Sequence, residues 1–148
     1  MTLTFAQARD EILTLFKTAW DAGASGVEVV YDDTPTDKPS AAQLANENAT
    51  AWARVTLRHS IGRQASLSGA QAVRRWEREG TLFVQIFTSY GTGLQTADTL
   101  AKVAVDALEG ATTPGGVWFR DVSFREVGID GPWYQTNVVA TFQYDEVK

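Results

Sequence analysis

The run TLFVQIFTS, residues 81–89, limits what this chain can fold into more than any other stretch. Successive side chains of a strand point to opposite faces, so Leu82, Val84 and Ile86 share one face and Phe83, Gln85 and Phe87 the other. Both faces are therefore largely apolar. Such a strand is covered on both sides within its own molecule, or has its second face closed by a neighbouring one. The chain must supply flanking strands and a layer of helix to bury it.

The remaining sequence provides both. Phe5, Ala8, Ile12, Phe16 and Ala19 recur at three- and four-residue spacing, which predicts an amphipathic helix over residues 4–22. Thr4 and Gln7 form a capping box at its start, and Gly23 suits its end. VEVVYDD reads as a short strand, followed by a long polar connection through two prolines. AWARVTLRHS alternates, with Ala53, Val55, Leu57 and His59 inward and Trp52, Arg54, Thr56 and Arg58 on a wet or partner-facing side. Residues 61–70 read as a small-residue, mobile loop that orders on assembly. VRRWERE and the apolar run are then two strands joined at Glu79-Gly80, where glycine can supply a tight turn.

A second helix is expected over 92–109, with Leu94, Ala97, Ala101, Ala104 and Leu108 as its buried stripe. Two last strands, VWFRDVSFREV and WYQTNVVATFQYD, are linked by GIDGP. The order is α-β-β-β-β-α-β-β. This is an α+β chain whose mixed, mainly antiparallel β-sheet packs against two α-helices, in one domain spanning 1–148.

The junction SYGTGLQTADTL resembles a phosphate cradle, since glycine turns that open helices bind anions. A dinucleotide fingerprint needs a third glycine where Thr96 stands, and a Walker loop needs a lysine that is missing. Thr92 and Gln95 instead repeat the capping box of the first helix. The junction is a turn and a cap.

Chemistry is equally sparse. The chain has no cysteine and a single histidine, His59, on the inward side of its strand. The cluster Asp32, Asp33 and Asp37 lacks the glycine and terminal glutamate of a calcium loop. No catalytic, cofactor or metal site is expected, and the chain does not read as an enzyme. No apolar run approaches the roughly 20 residues that span a bilayer, so no membrane role is expected. The acidic opening segment reads as a helix rather than a signal peptide, which places synthesis in the cytoplasm.

Charge is unevenly spread. The net charge is −5, yet residues 50–78 carry Arg54, Arg58, Arg63, Arg74, Arg75 and Arg78 against the single acid Glu77. Segregation of this kind points to complementary surfaces on a partner or on another copy of the chain. Arginines interleaved with Trp52 and Trp76 could also stack on nucleic acid, although the acidic total opposes that reading.

In the order of its motifs the chain resembles the tail terminator proteins of long-tailed, siphovirus-like bacteriophages, prophages and gene transfer agents. The resemblance runs through VVYDDTPTDKP and WARVTL, the stretch WEREGTLFVQIFTSYGTGLQTADTLAKVAVDALEG, and the late WYQ and closing F-x-Y strand. Ser89 stands where many relatives have a proline before the glycine turn. The resemblance implies a virion protein of the tail and neck, forming a homohexameric ring that caps the tail tube and ends its elongation. Its partners would be the tube protein and the head-completion or neck proteins, with DNA passing through the lumen without specific binding. Another head–tail junction protein, or a nucleic-acid-binding module, remains the alternative. Candidate interface residues are Arg63, Arg74, Arg75 and Arg78, with Asp32, Asp33 and Asp37 as their complement on a neighbour, and Phe83 and Phe87 on the apolar strand.

Overall fold

A computed structural model describes residues 2–31, 51–67, 70, 72–91 and 93–148. Helix α1 spans Phe5–Gly23. Strands β1 (Glu28–Tyr31), β2 (Ala51–Gln64) and β3 (Arg75–Ser89) follow, then helix α2 (Gln95–Leu108) and strands β4 (Trp118–Asp130) and β5 (Trp133–Val147). They form one five-stranded sheet in the order β1-β2-β3-β5-β4. β1 runs parallel to β2, and every other pairing is antiparallel. The α+β class, the mainly antiparallel sheet and its two helices are as the sequence implies. β3, the run apolar on both faces, lies between β2 and β5.

One face of the sheet carries the helices. The capping box of α1 is present, with Gln7 N–H donating to the Thr4 hydroxyl and the Gln7 side chain accepting from Thr4 N–H. Ala8, Ile12, Phe16 and Trp20 of α1 are buried against Val55, Leu57, Leu82, Val84, Ile86, Val138 and Ala140 of the sheet. Burying the three large α1 side chains contributes about 1.5–3 kcal/mol each, so packing rather than helix propensity holds α1 in place. Trp20, not Ala19, completes the buried row, and its indole N–H donates to Val27 O at 3.1 Å. Phe5 is half-exposed at the start of the helix.

Four local expectations are corrected. No hairpin forms at Glu79-Gly80, because β3 runs unbroken through it and pairs with β5 over its full length. Gly80 is there for room: a Cβ would come 2.3 Å from Arg58 O and 2.4 Å from the Phe142 ring. The two strands expected on either side of it are therefore one.

The loop expected over 61–70 begins later. Residues 61–64 continue β2, shifted in register by an irregularity between His59 and Ile61. Ala65 N–H still donates to Arg75 O at 2.8 Å, and Ser66 Oγ accepts from Arg75 N–H at 3.0 Å. Of the rest of that stretch, residues 68 and 69 lie outside the described residues.

Helix α2 starts at Gln95 with Leu94 as its N-cap and no side-chain cap hydrogen bond. Gln95 therefore cannot close a capping box, and Thr92 lies outside the described residues. Leu94 is exposed, and Leu100 takes its place in the buried row. The glycine turn itself is as read, since Gly91 and Gly93 both have positive φ (88° and 82°), a conformation glycine adopts without a Cβ clash.

Finally, Trp52 is not on a wet surface. It is 2% exposed, stacked on Phe87 at 4.3 Å and edge-on to Trp133 at 6.3 Å. With Val30 these rings form a second, smaller cluster on the face away from the helices.

Candidate assembly surface

The arginine-rich segment becomes a ribbon at one end of the sheet, where β2, β3 and β5 extend together. Register sets acids of β3 and β5 beside these arginines. Arg63 of β2 meets Glu77 at 2.9 Å and Glu79 at 3.1 Å, both on β3. Arg75 meets Asp145 of β5 at 2.8 Å. Arg78 donates from Nε and Nη2 to Glu146 Oε2, at 2.9 and 2.7 Å. Charge that is segregated along the sequence is thus largely matched across strands.

These pairs differ in weight. Arg63 and Arg75 are more than half exposed, and such pairs contribute roughly 0–1 kcal/mol. Arg78 and Glu146 are only 13% and 16% exposed. The Arg78 guanidinium also lies 5.1 Å from the Phe5 ring centroid and 5.7 Å from that of Trp76. Arg74 exchanges two backbone hydrogen bonds with Lys148. Asp32, Asp33 and Asp37 lie outside the described residues.

Beside the ribbon, His59 accepts or donates across 3.0 Å to the Tyr144 hydroxyl. Its ring packs edge-on to Phe5 and Phe142. Burial lowers the His59 pKa below its usual value, and the positive charges of Arg9 and Arg78 lower it further. The neutral imidazole and the tyrosine hydroxyl therefore share one hydrogen bond whose direction follows the ring tautomer. Burial pushes Tyr144 up to about 12, with Arg78 opposing and Glu146 adding to the shift. His59 is a structural polar group in an aromatic setting, as its inward position implies. Among the described residues no three His, Asp or Glu side chains converge on a point that could hold a metal ion.

The face away from the helices is the other candidate surface. Phe87 is buried there beneath Trp52 and Trp133, whereas Phe83, four residues along β3, is 36% exposed. Arg54 lies over the Trp52 and Phe87 rings, at 5.4 and 5.9 Å. Trp76 has Arg78 and Lys148 above its ring. The two tryptophans expected as stacking platforms are therefore occupied within the chain. Sequence alternation alone could not have shown this, because the rings closing over Trp52 arrive from β3 and β5.

No protein-family model matches the chain, and no curated protein matches it. Among the solved structures that share its fold, two match it along nearly their whole lengths. One, which carries no functional name, has a TM-score of 0.65 at 13% identity over 95% of each chain. The other is a chain from the virion of a native gene transfer agent particle. It has a TM-score of 0.52 at 17% identity, covering 98% of this chain and all of that one. At these identities the likeness is one of fold.

Proposed function

We propose that this protein is a structural subunit of a phage-like virion, and more specifically a tail terminator. Six copies form a ring that caps the tail tube, ends its elongation and joins the tail to the head-completion or neck proteins. DNA crosses the ring lumen without specific binding. The function needs no catalytic step, cofactor or membrane, and it places the protein in the neck region of the tail after synthesis in the host cytoplasm.

The observation that carries this reading is the end-to-end fold likeness to a gene transfer agent virion chain. That likeness and the order of motifs along the sequence both support a phage-like virion protein. The nucleic-acid alternative loses support from the occupied tryptophans and the matched arginines.

Exposed Phe83 and the charged ribbon are the surfaces offered to neighbours in the ring. Arg63 and Arg75 keep the exposure a contact requires, Arg74 is partly buried beside them, and Arg78 serves the fold. The test is capping. Purified tail tubes elongating in the presence of this protein should stop at a set length with a ring at one end. Arg74→Glu and Arg75→Glu together should weaken that capping while leaving the melting temperature nearly unchanged. Tubes that keep growing past the protein would end the terminator reading. Undiminished capping by the double variant would remove the two arginines from the contact.

A further inference from the structure

We propose that β4 is a self-pairing edge, joining the same strand of a second copy of the chain, antiparallel, about a two-fold axis at Ser123. β4 is the last strand of the sheet. Beyond an isolated bridge from Thr112 to Trp118 at its start, one side of it therefore presents backbone donors and acceptors with no neighbouring strand among the described residues. Sheets usually protect such edges by keeping them short or by placing lysine or proline along them. β4 is 13 residues long and contains neither. Phe124, Val127 and Ile129 on it are 43%, 55% and 66% exposed. Register irregularities lie after Phe119 and after Glu126, leaving residues 121–126 as one regular run.

The order of residues in that run is self-complementary. Antiparallel pairing about Ser123 sets Asp121 opposite Arg125 of the second copy, Val122 opposite Phe124, and Ser123 opposite itself. One step further out, Arg120 approaches Glu126 from the irregularity after Phe119, where its guanidinium also lies over the Trp118 ring. Every charge meets its opposite and every apolar residue meets another, twice over by symmetry. Moving the axis to Val122 or Phe124 leaves no oppositely charged pair. Moving it to Asp121 or Arg125 sets a charge against its own copy. Cross-strand pairs are the unit of sheet stability, and like charges directly opposite are unfavourable, so one register is selected. Asp121, Arg125 and Glu126 enter no ion pair among the described residues.

The helix side agrees. Phe124 forms the apolar floor of a shallow groove of about 400 Å³ with Ala101 and Val105 of α2, rimmed by the charged Asp98, Lys102 and Glu126. In the pair, Val122 of the second copy lies across from Phe124 and extends that apolar lining over the boundary. The result is one continuous ten-stranded sheet with the helices of both copies on the same side. A two-fold contact of this kind cannot by itself close a ring of six, so it is separate from the ring contact and does not depend on it.

The test is particle mass by light scattering over a concentration series, for the unaltered protein, Arg125→Asp, and the swap Asp121→Arg with Arg125→Asp. The unaltered protein should pass from one copy to two. Arg125→Asp sets two carboxylates opposite each other at both symmetry-related positions and should raise the dissociation constant about tenfold or more. The swap rebuilds both pairs with reversed sign and should restore association. A variant that merely damaged the fold would gain nothing from the second change. A single copy at every concentration, association indifferent to Arg125→Asp, or a swap that fails to rescue would each overturn the proposal. A mass of six copies unaltered by Arg125→Asp would do the same while leaving the ring reading in place.

Discussion

Replacing Arg78 by methionine tests how much the buried end of the charged ribbon contributes to the fold. The substitution keeps an apolar stem of similar length beside Phe5 and Trp76 but removes both donors to Glu146 Oε2. Glu146, 16% exposed, then keeps only Lys148 Nζ at 3.8 Å as a cation. Removing one partner of a buried pair costs about 3–5 kcal/mol, because the remaining charge is left uncompensated. Lys148 is itself 56% exposed and partly screens the carboxylate, which places the expected loss at the low end, about 3 kcal/mol. For a chain of this length that corresponds to a fall in Tm of about 6–12 °C. The assay is urea and thermal unfolding at low protein concentration. The double variant Arg78→Met, Glu146→Gln leaves no orphaned charge and should recover more than half of the loss. A single variant within about 0.5 kcal/mol of the parent would show that the pair behaves like a surface contact. A double variant no better than the single would refute the uncompensated-charge reasoning.

Two further outcomes follow from the fold. Gly80→Ala forces a Cβ against Arg58 O and the Phe142 ring, and the backbone oxygen cannot move aside. Destabilisation should reach about 2–3 kcal/mol, and Phe142→Leu should relieve only the part due to the ring; a neutral Gly80→Ala would refute the close-approach reading of that glycine. His59 has a lowered pKa in the folded state, so the unfolded chain binds its proton first. Its contribution to stability is whole above the unfolded value of about 6.5 and is lost as the pH falls below it. His59→Gln should flatten stability between about pH 7 and pH 5 relative to the parent, and parallel profiles for the two proteins would count against it.

What the sequence revealed and what it hid divide along a physical line. α1 was legible because its signals are local: Thr4 and Gln7 cap each other, and Ala8, Ile12 and Phe16 recur at helical spacing. The central place of β3 was legible from its two apolar faces. Gly80 was misread because glycine serves tight turns and close approaches alike, and the Phe142 ring that decides between them comes from β5. Trp52 looked wet beside Arg54 and Arg58, yet Phe87 and Trp133 close over it from other strands. The arginines at 75 and 78 looked like an unmatched patch, but Asp145 and Glu146 reach them only through the β3–β5 register. Each miss turns on a residue far along the chain.

The same remoteness governs how the sheet is built. β4 and β5 are joined by a two-residue turn at Gly131-Pro132 and can zip together at once. The β3–β5 and β1–β2 ladders cannot: β3 reaches β5 only after α2 and β4 have been laid out between them, and β1 must find β2 in parallel. Closing such large loops is paid in chain entropy before any contact rewards it, which puts folding in the slower range, about milliseconds to seconds. Pulse-labelled amide exchange should therefore protect the β4–β5 pairing over 122–140 first and the β3–β5 ladder after it. During that interval the β4–β5 hairpin exists with both of its edges open. The order of charges along β4 then acts as a filter on the nascent chain, admitting one register of one partner while the strands that will shield β5 are still in transit.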